Sequence, residues 1–203
     1  MQRKGILFIV SGPSGAGKGT VLNQVMRDLS GLSLSISVTT REPRDGEIDG
    51  VHYHFRKNEE FDEMVKNNEF LEHVSKYKNR YGTPRTGVEE LLDAGRDVIL
   101  EIETKGAIRI KSIFRDAVLV FITPYSSDEL ETRLDSRGSE NSNSKELRLK
   151  IAKDEYKKMK HYDFIALNDD INVCVETIKA IIIAERSRLT RNTNAIERYI
   201  PSK

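Results

Sequence analysis

The 203-residue chain is long enough to bury the core of one α/β domain with small inserted lobes. Its 33 Lys and Arg against 32 Asp and Glu give a net charge of +1, which excludes a general polyanion-binding surface and nucleic acid as a partner. The single cysteine, Cys174, excludes an internal disulfide, and no apolar run approaches the roughly 20 residues of a membrane span, so a cytoplasmic protein without a membrane partner is expected. Residues 6–10, ILFIV, form an apolar run closed by glycines, the pattern of a strand buried on both faces. The residues before it leave no room for a signal peptide. From Thr20 onward, Val21, Leu22, Val25, Met26 and Leu29 fall on one helical stripe, which Gly31 ends.

Residues 33–71 contain short alternating stretches, LSISV and VHYHF, with turns at Asp45-Gly46 and Asp49-Gly50; they predict a small, partly antiparallel lobe. Further buried strands are expected over 97–102, 117–122 and 164–167, with helices over 87–94, 104–114 and 127–135. Ser126 and Glu129 have the spacing of a capping box at the start of the last of these. Residues 136–144, SRGSENSNS, hold no apolar residue and predict a mobile loop. Long helices are expected near 145–160 and 171–191, with Cys174 as a small core residue of the second, and the tail from Asn192 is expected to be loosely held. Strands alternating with helices predict an α/β fold, a parallel sheet core flanked by helices.

The stretch Gly12-Pro13-Ser14-Gly15-Ala16-Gly17-Lys18-Gly19-Thr20 follows the first strand and opens a helix. Glycines let backbone amides turn inward around an anion, and the helix N-terminus adds positive potential. Lys18 then reaches the β and γ phosphates of a nucleotide. The hydroxyl that normally follows this lysine ligates Mg²⁺. Gly19 has none, so the metal is expected on phosphate oxygens and water, or on other protein groups, while Thr20 donates to phosphate one position later. Lys18-Gly19-Thr20 resembles the form seen in many nucleoside monophosphate kinases, a resemblance that implies small-molecule phosphoryl transfer rather than a nucleotide-hydrolysing switch. Arg41 and Arg44, stiffened by Pro43, form a pair of guanidinium forks suited to a terminal phosphate. Glu101 and Glu103 end an apolar strand at two-residue spacing, on one face, where open α/β sheets bind ligands; Glu101 is expected to hold Mg²⁺ through water. The four histidines show no metal spacing.

Taken together, SVTTREPRDGEIDGVHY, SGPSGAGKGT, NNEFLEH, RYGTP and RGSE resemble the guanylate kinase family, in family order and spacing, from about Lys4 to Arg188. The resemblance implies ATP + GMP ⇌ ADP + GDP with Mg²⁺, by a monomer or homo-oligomer. It implies a core near residues 1–32, 85–125 and 160–191, a GMP-binding lobe near 33–84 and a mobile lid near 126–159. Carried over by position, Arg41, Arg44, Tyr53 and Tyr81 hold the GMP phosphate, and Ser37, Glu72, Thr83 and Glu103 surround the guanine. Arg133, Arg137 and Arg148 approach the transferring group, and Asn168 lies at the adenine end of ATP. On the residues alone, Glu72 reads instead as a solvated helix-end acid, and Tyr81-Gly82-Thr83-Pro84 as a tight turn. Arg133 can equally pair with Glu129, and Arg137 and Arg148 read as surface charge. A non-catalytic scaffold module of similar fold would show a damaged phosphate loop, whereas loop lysine, acids and arginines are all present here.

Overall fold

A computed structural model describes residues 3–76, 78–135 and 142–192. β1 (Leu7–Ser11) leads through the glycine loop into α1 (Lys18–Asp28) and then β2 (Leu32–Leu34). A lobe follows, made of β3 (Val38–Thr39), β4 (His54–Phe55), α2 (Asn58–Lys66), β5 (Phe70–Lys76) and β6 (Asn79–Pro84). The chain returns through α3 (Arg85–Asp93), β7 (Asp97–Glu101), α4 (Thr104–Ile113) and β8 (Val118–Thr123). It continues with α5 (Ser127–Asp135), α6 (Ser142–Tyr156), β9 (Phe164–Leu167) and α7 (Ile171–Ser187).

The main sheet has the order β2-β7-β1-β8-β9, with every neighbouring pair parallel. A parallel sheet must be covered on both faces, and the continuous apolar runs of β1 and β8, buried throughout, reflect that. Val21, Leu22 and Val25 of α1 and Cys174, Ile178 and Ile182 of α7 cover one face. Val88 and Leu92 of α3 and Ala107 and Ile110 of α4 cover the other. Each fully buried Ile, Leu or Phe contributes about 1.5–3 kcal/mol, so these layers supply most of the driving force. The crossovers leave β1 with helices of opposite faces on its two sides, and a crevice opens at the carboxyl ends of β1 and β7. No helix among the described residues is long and apolar enough to cross a membrane.

The lobe sheet has the order β4-β3-β6-β5; β3 and β4 run parallel, and the other pairs antiparallel. Val38, Phe61 and Phe70 form its own small core, with the Phe61 and Phe70 rings stacked at 4.6 Å. Helices α5 and α6 meet through Leu130 and Ala152, and a hydrogen bond of 3.0 Å between the hydroxyls of Tyr156 and Thr123 ties α6 to the end of β8.

Several local expectations change. Residues 33 and 34, read as the start of the lobe, belong to β2 of the parallel sheet. Tyr81 to Pro84 is the second half of strand β6 rather than a turn. The Ser126 hydroxyl accepts from the Glu129 amide at 3.2 Å, but the Glu129 carboxylate turns to Arg133, so only half of the capping box forms. Of the polar loop expected over 136–144, the last three residues begin α6, and 136–141 lie outside the described residues, as does the tail beyond Asn192.

Asp97, fully buried at the start of β7, anchors three separate parts of the chain. One oxygen accepts from the Ile6 amide at 2.8 Å and from Arg3 at 2.9 Å; the other accepts from Arg186 at 2.6 Å. Asp97→Ala leaves an amide unsatisfied and two partly buried guanidinium groups unpaired. It is expected to destabilise the fold by about 3 kcal/mol, seen as a lower urea midpoint at unchanged m-value. Turnover per folded molecule should stay unchanged, because Asp97 lies at the opposite strand end from the crevice.

Candidate active site

The phosphate loop is built by close approach. Gly12 has φ 152°, and a Cβ there would sit 1.9 Å from the Ile122 carbonyl, so only glycine lets the loop leave β1 against β8. The Asn168 amide donates to the Ala16 carbonyl at 2.7 Å. This residue, expected at the adenine end of ATP, therefore fixes the loop itself. The Lys18 ammonium donates to the Gly12 and Pro13 carbonyls at 2.7 and 3.1 Å, folded over the concavity that a phosphate would fill. Thr20 lies exposed in the first turn of α1.

A Cβ added to Gly19 would lie 3.7 Å from the Glu101 Oε2. The acid at the end of β7 therefore borders the space that a hydroxyl at position 19 would otherwise occupy. Glu103 lies just past the end of β7, as the extended N-cap of α4 with φ −71° and ψ 154°. Glu101 borders the phosphate loop, and Glu103 acts electrostatically on Glu72.

Glu72 is the largest departure from a local reading. It sits on β5, only 5% exposed, and Thr83 of β6, itself 1% exposed, donates to it at 3.0 Å. Burial pushes its carboxyl above the usual range; the Thr83 hydrogen bond opposes this, Glu103 adds to it, and Arg109 opposes it. Its Oε2 abuts Gly106 of α4 so closely that a Cβ there would come within 2.7 Å. Gly106→Ala is expected to push this flexible side chain aside. That change should lower kcat/KM for a monophosphate read by Glu72 about tenfold, with the unfolding midpoint little changed. Steady-state kinetics against that substrate checks it. An isolated glycine in a helical pattern was the only sequence signal for this position.

Across the lobe, the Arg41 guanidinium lies over the Tyr53 and Phe55 rings at 5.5 and 5.8 Å, and the Tyr53 and Tyr81 rings meet edge to face at 6.1 Å. Burial lowers the Arg41 pKa, but the Glu47 hydrogen bond and charge, followed by Tyr81, outweigh it and raise the value overall. Arg44 is exposed on the same turn, and the Ser37 carbonyl accepts from the His54 amide at 2.9 Å, joining β3 to β4. Burial first, then the charges of Tyr81 and Glu101, raise the Tyr53 phenol pKa. Glu101 thus borders the glycine loop and acts electrostatically on Tyr53 of the lobe.

The family model for guanylate kinase matches residues 4–185. The chain belongs to the guanylate kinase family. It is 44% identical over 190 residues to a guanylate kinase of Desulfitobacterium hafniense, covering 94% of this chain and 95% of that one. It is 43% identical over 194 residues to one from Clostridioides difficile, covering 96% and 95%. The crystal structure of guanylate kinase from Anaplasma phagocytophilum superposes with a TM-score of 0.81 at 30% identity, covering 100% of this chain and 98% of that one. The chain is thus a P-loop kinase of the family that phosphorylates GMP with ATP.

Within this guanylate kinase fold, α6 reaches the loop. Arg148 of α6 donates to the Ser14 hydroxyl at 3.5 Å. Arg133 of α5 donates to Glu129 and, at 2.7 Å, to the Asn168 carbonyl. Arg137 lies outside the described residues. A cavity of about 400 Å³, lined by Glu103, Thr104, Ile151 and Glu155 among others, separates α6 from the start of α4. A larger one, about 1050 Å³, lies at the amino-terminal strand edge. There Lys111 is paired with Asp163, and Arg188 and Arg191 with Glu185.

Proposed function

We propose that the cleft between the phosphate loop and the four-stranded lobe transfers the γ-phosphoryl group of ATP to GMP. The observation that carries this reading is the buried Glu72–Thr83 pair, an acid held ready by a hydroxyl on the lobe sheet. Guanine presents N1–H and N2–H₂ side by side, and a desolvated carboxylate accepts both. Thr83, Ser37 and Glu103 complete the base pocket. Arg41, Arg44, Tyr53 and Tyr81 receive the GMP phosphate, and Lys18 with the amides of residues 12–20 receives the ATP phosphates, with Asn168 supporting the loop from below.

Phosphoryl transfer asks for in-line alignment and for cations around the developing charge, with little covalent help. The GMP phosphate is already anionic, so no side chain need remove a proton. Arg133, Arg137 and Arg148 complete the cage as α5 and α6, the lid, close and exclude water that would otherwise hydrolyse ATP. The division into a core, a GMP-binding lobe near 33–84 and a lid near 126–159 belongs to the same reading.

Mg²⁺ fits this donor set in one way. Gly19 offers no ligand, and the described residues contain no cluster of three His, Cys, Asp or Glu able to hold an ion. Glu101, beside position 19, would hold it through water while ATP oxygens bind it directly; the ion would neutralise phosphate charge. A cytoplasmic location is part of the proposal, supported by a single cysteine that can form no internal disulfide.

Phosphorus NMR of the protein with ATP, Mg²⁺ and GMP tests the proposal. ADP and GDP should appear one for one. ADP accompanied by inorganic phosphate would make the cleft a hydrolase instead.

A further inference from the structure

Glu47 holds together the turn that carries both phosphate-binding arginines. Each of its carboxylate oxygens accepts from Arg41 Nη2 at 2.8 Å. Oε2 also accepts from the Arg44 backbone amide at 2.8 Å, and the Glu47 amide donates back to the Arg44 carbonyl at 3.0 Å. Arg41 Nη1 is fixed separately, donating to the Glu42 carbonyl at 2.7 Å. The Arg44 amide first, and then Arg41, hold the Glu47 carboxyl below its usual range, so it is ionised at neutral pH.

We propose that Glu47 is a positioning residue for GMP, orienting the Arg41 guanidinium directly and Arg44 through its backbone. The inference rests on the assignment of these arginines to the GMP phosphate. The alternative is that Glu47 competes with that phosphate for Arg41. A competitor would occupy an edge of the guanidinium fork, with one carboxylate oxygen on each of two nitrogens. Here both oxygens converge on a single nitrogen, and the rest of the group lies over Tyr53 and against Tyr81, its assigned partners at the phosphate. The acid also travels with the arginines, six residues after Arg41 and three after Arg44, so it keeps its grip in any position of the lobe.

Glu47→Gln keeps the shape and removes the charge that aligns Arg41. KM for GMP is expected to rise about tenfold, with KM for ATP and the unfolding midpoint little changed, and Glu47→Asp should recover part of the loss. In an Arg41→Ala background the same change should add no more than about twofold, since the residue acts mainly through Arg41. A lower KM for GMP in Glu47→Gln would identify a competitor and overturn the proposal; an unchanged KM would reduce Glu47 to a solvated acid and overturn it equally. If Arg41→Ala alone left KM for GMP untouched, the arginine assignment itself would fail and the proposal with it. A normal Arg41→Ala defect beside an inert Glu47 would overturn only the role given to Glu47.

Discussion

Glu72→Gln is expected to lower kcat/KM for GMP by roughly ten- to a hundredfold, with KM for ATP nearly unchanged. Glutamine keeps the shape but replaces one acceptor with a donor that faces a guanine N–H. Losing a charged hydrogen bond costs about 1.5–3 kcal/mol, which sets the expected range. Adenine presents an acceptor at N1, so AMP leaves the acid desolvated and facing a lone pair; wild-type discrimination of roughly 10⁴ or more follows. AMP should gain little from the variant, because Thr83 and Glu103 remain arranged for guanine. A GMP efficiency within about threefold of wild type would remove Glu72 from base reading.

The same residue makes a pH prediction. Its carboxyl titrates above the ordinary range, chiefly because it is buried. GMP needs the ionised form, so kcat/KM for GMP should fall as pH drops through that raised value, and the limb should vanish in Glu72→Gln. For the ligand-free fold the sign reverses. The contribution of the protonated acid is fully present below the ordinary carboxylate pKa and lost as pH rises through the raised one. The variant should therefore be at least as stable as wild type at neutral pH while reading GMP poorly. A merely structural acid would lose stability instead.

Lys18→Ala should lower kcat by about 10²–10³, the scale of removing one preorganised group that stabilises developing charge. Its ammonium donates to the Gly12 and Pro13 carbonyls of the loop, and its side chain is only half-buried, so the variant should fold. Turnover above about a tenth of wild type in a folded variant would contradict the assigned role.

What the sequence made legible depended on how local each cause was. The phosphate loop was readable because strand, glycines, lysine and helix lie within fifteen consecutive residues, and β1, β7 and β8 because burial on both faces leaves unbroken apolar runs. Glu72 looked solvated because it lies in a predominantly polar stretch after Phe70-Leu71. Its burial comes from pairing with β6 and from packing on Gly106, thirty-four positions away. Ser33 and Leu34 were assigned to the wrong sheet because an edge strand, covered on only part of its surface, alternates as a lobe strand does. Arg41 was visible as a fork, but its alignment by Glu47 was not, since a carboxylate in a charged turn has no periodicity to mark it.

A crystal structure with GMP bound tests the central claim most directly, through the distances from Glu72 to the base. The account predicts a carboxylate oxygen within about 3.2 Å of N1 and one equally close to N2, with Thr83 still bonded to the acid and the phosphate between Arg41 and Arg44. Guanine bound elsewhere in the cleft, with Glu72 touching only Thr83, would contradict it.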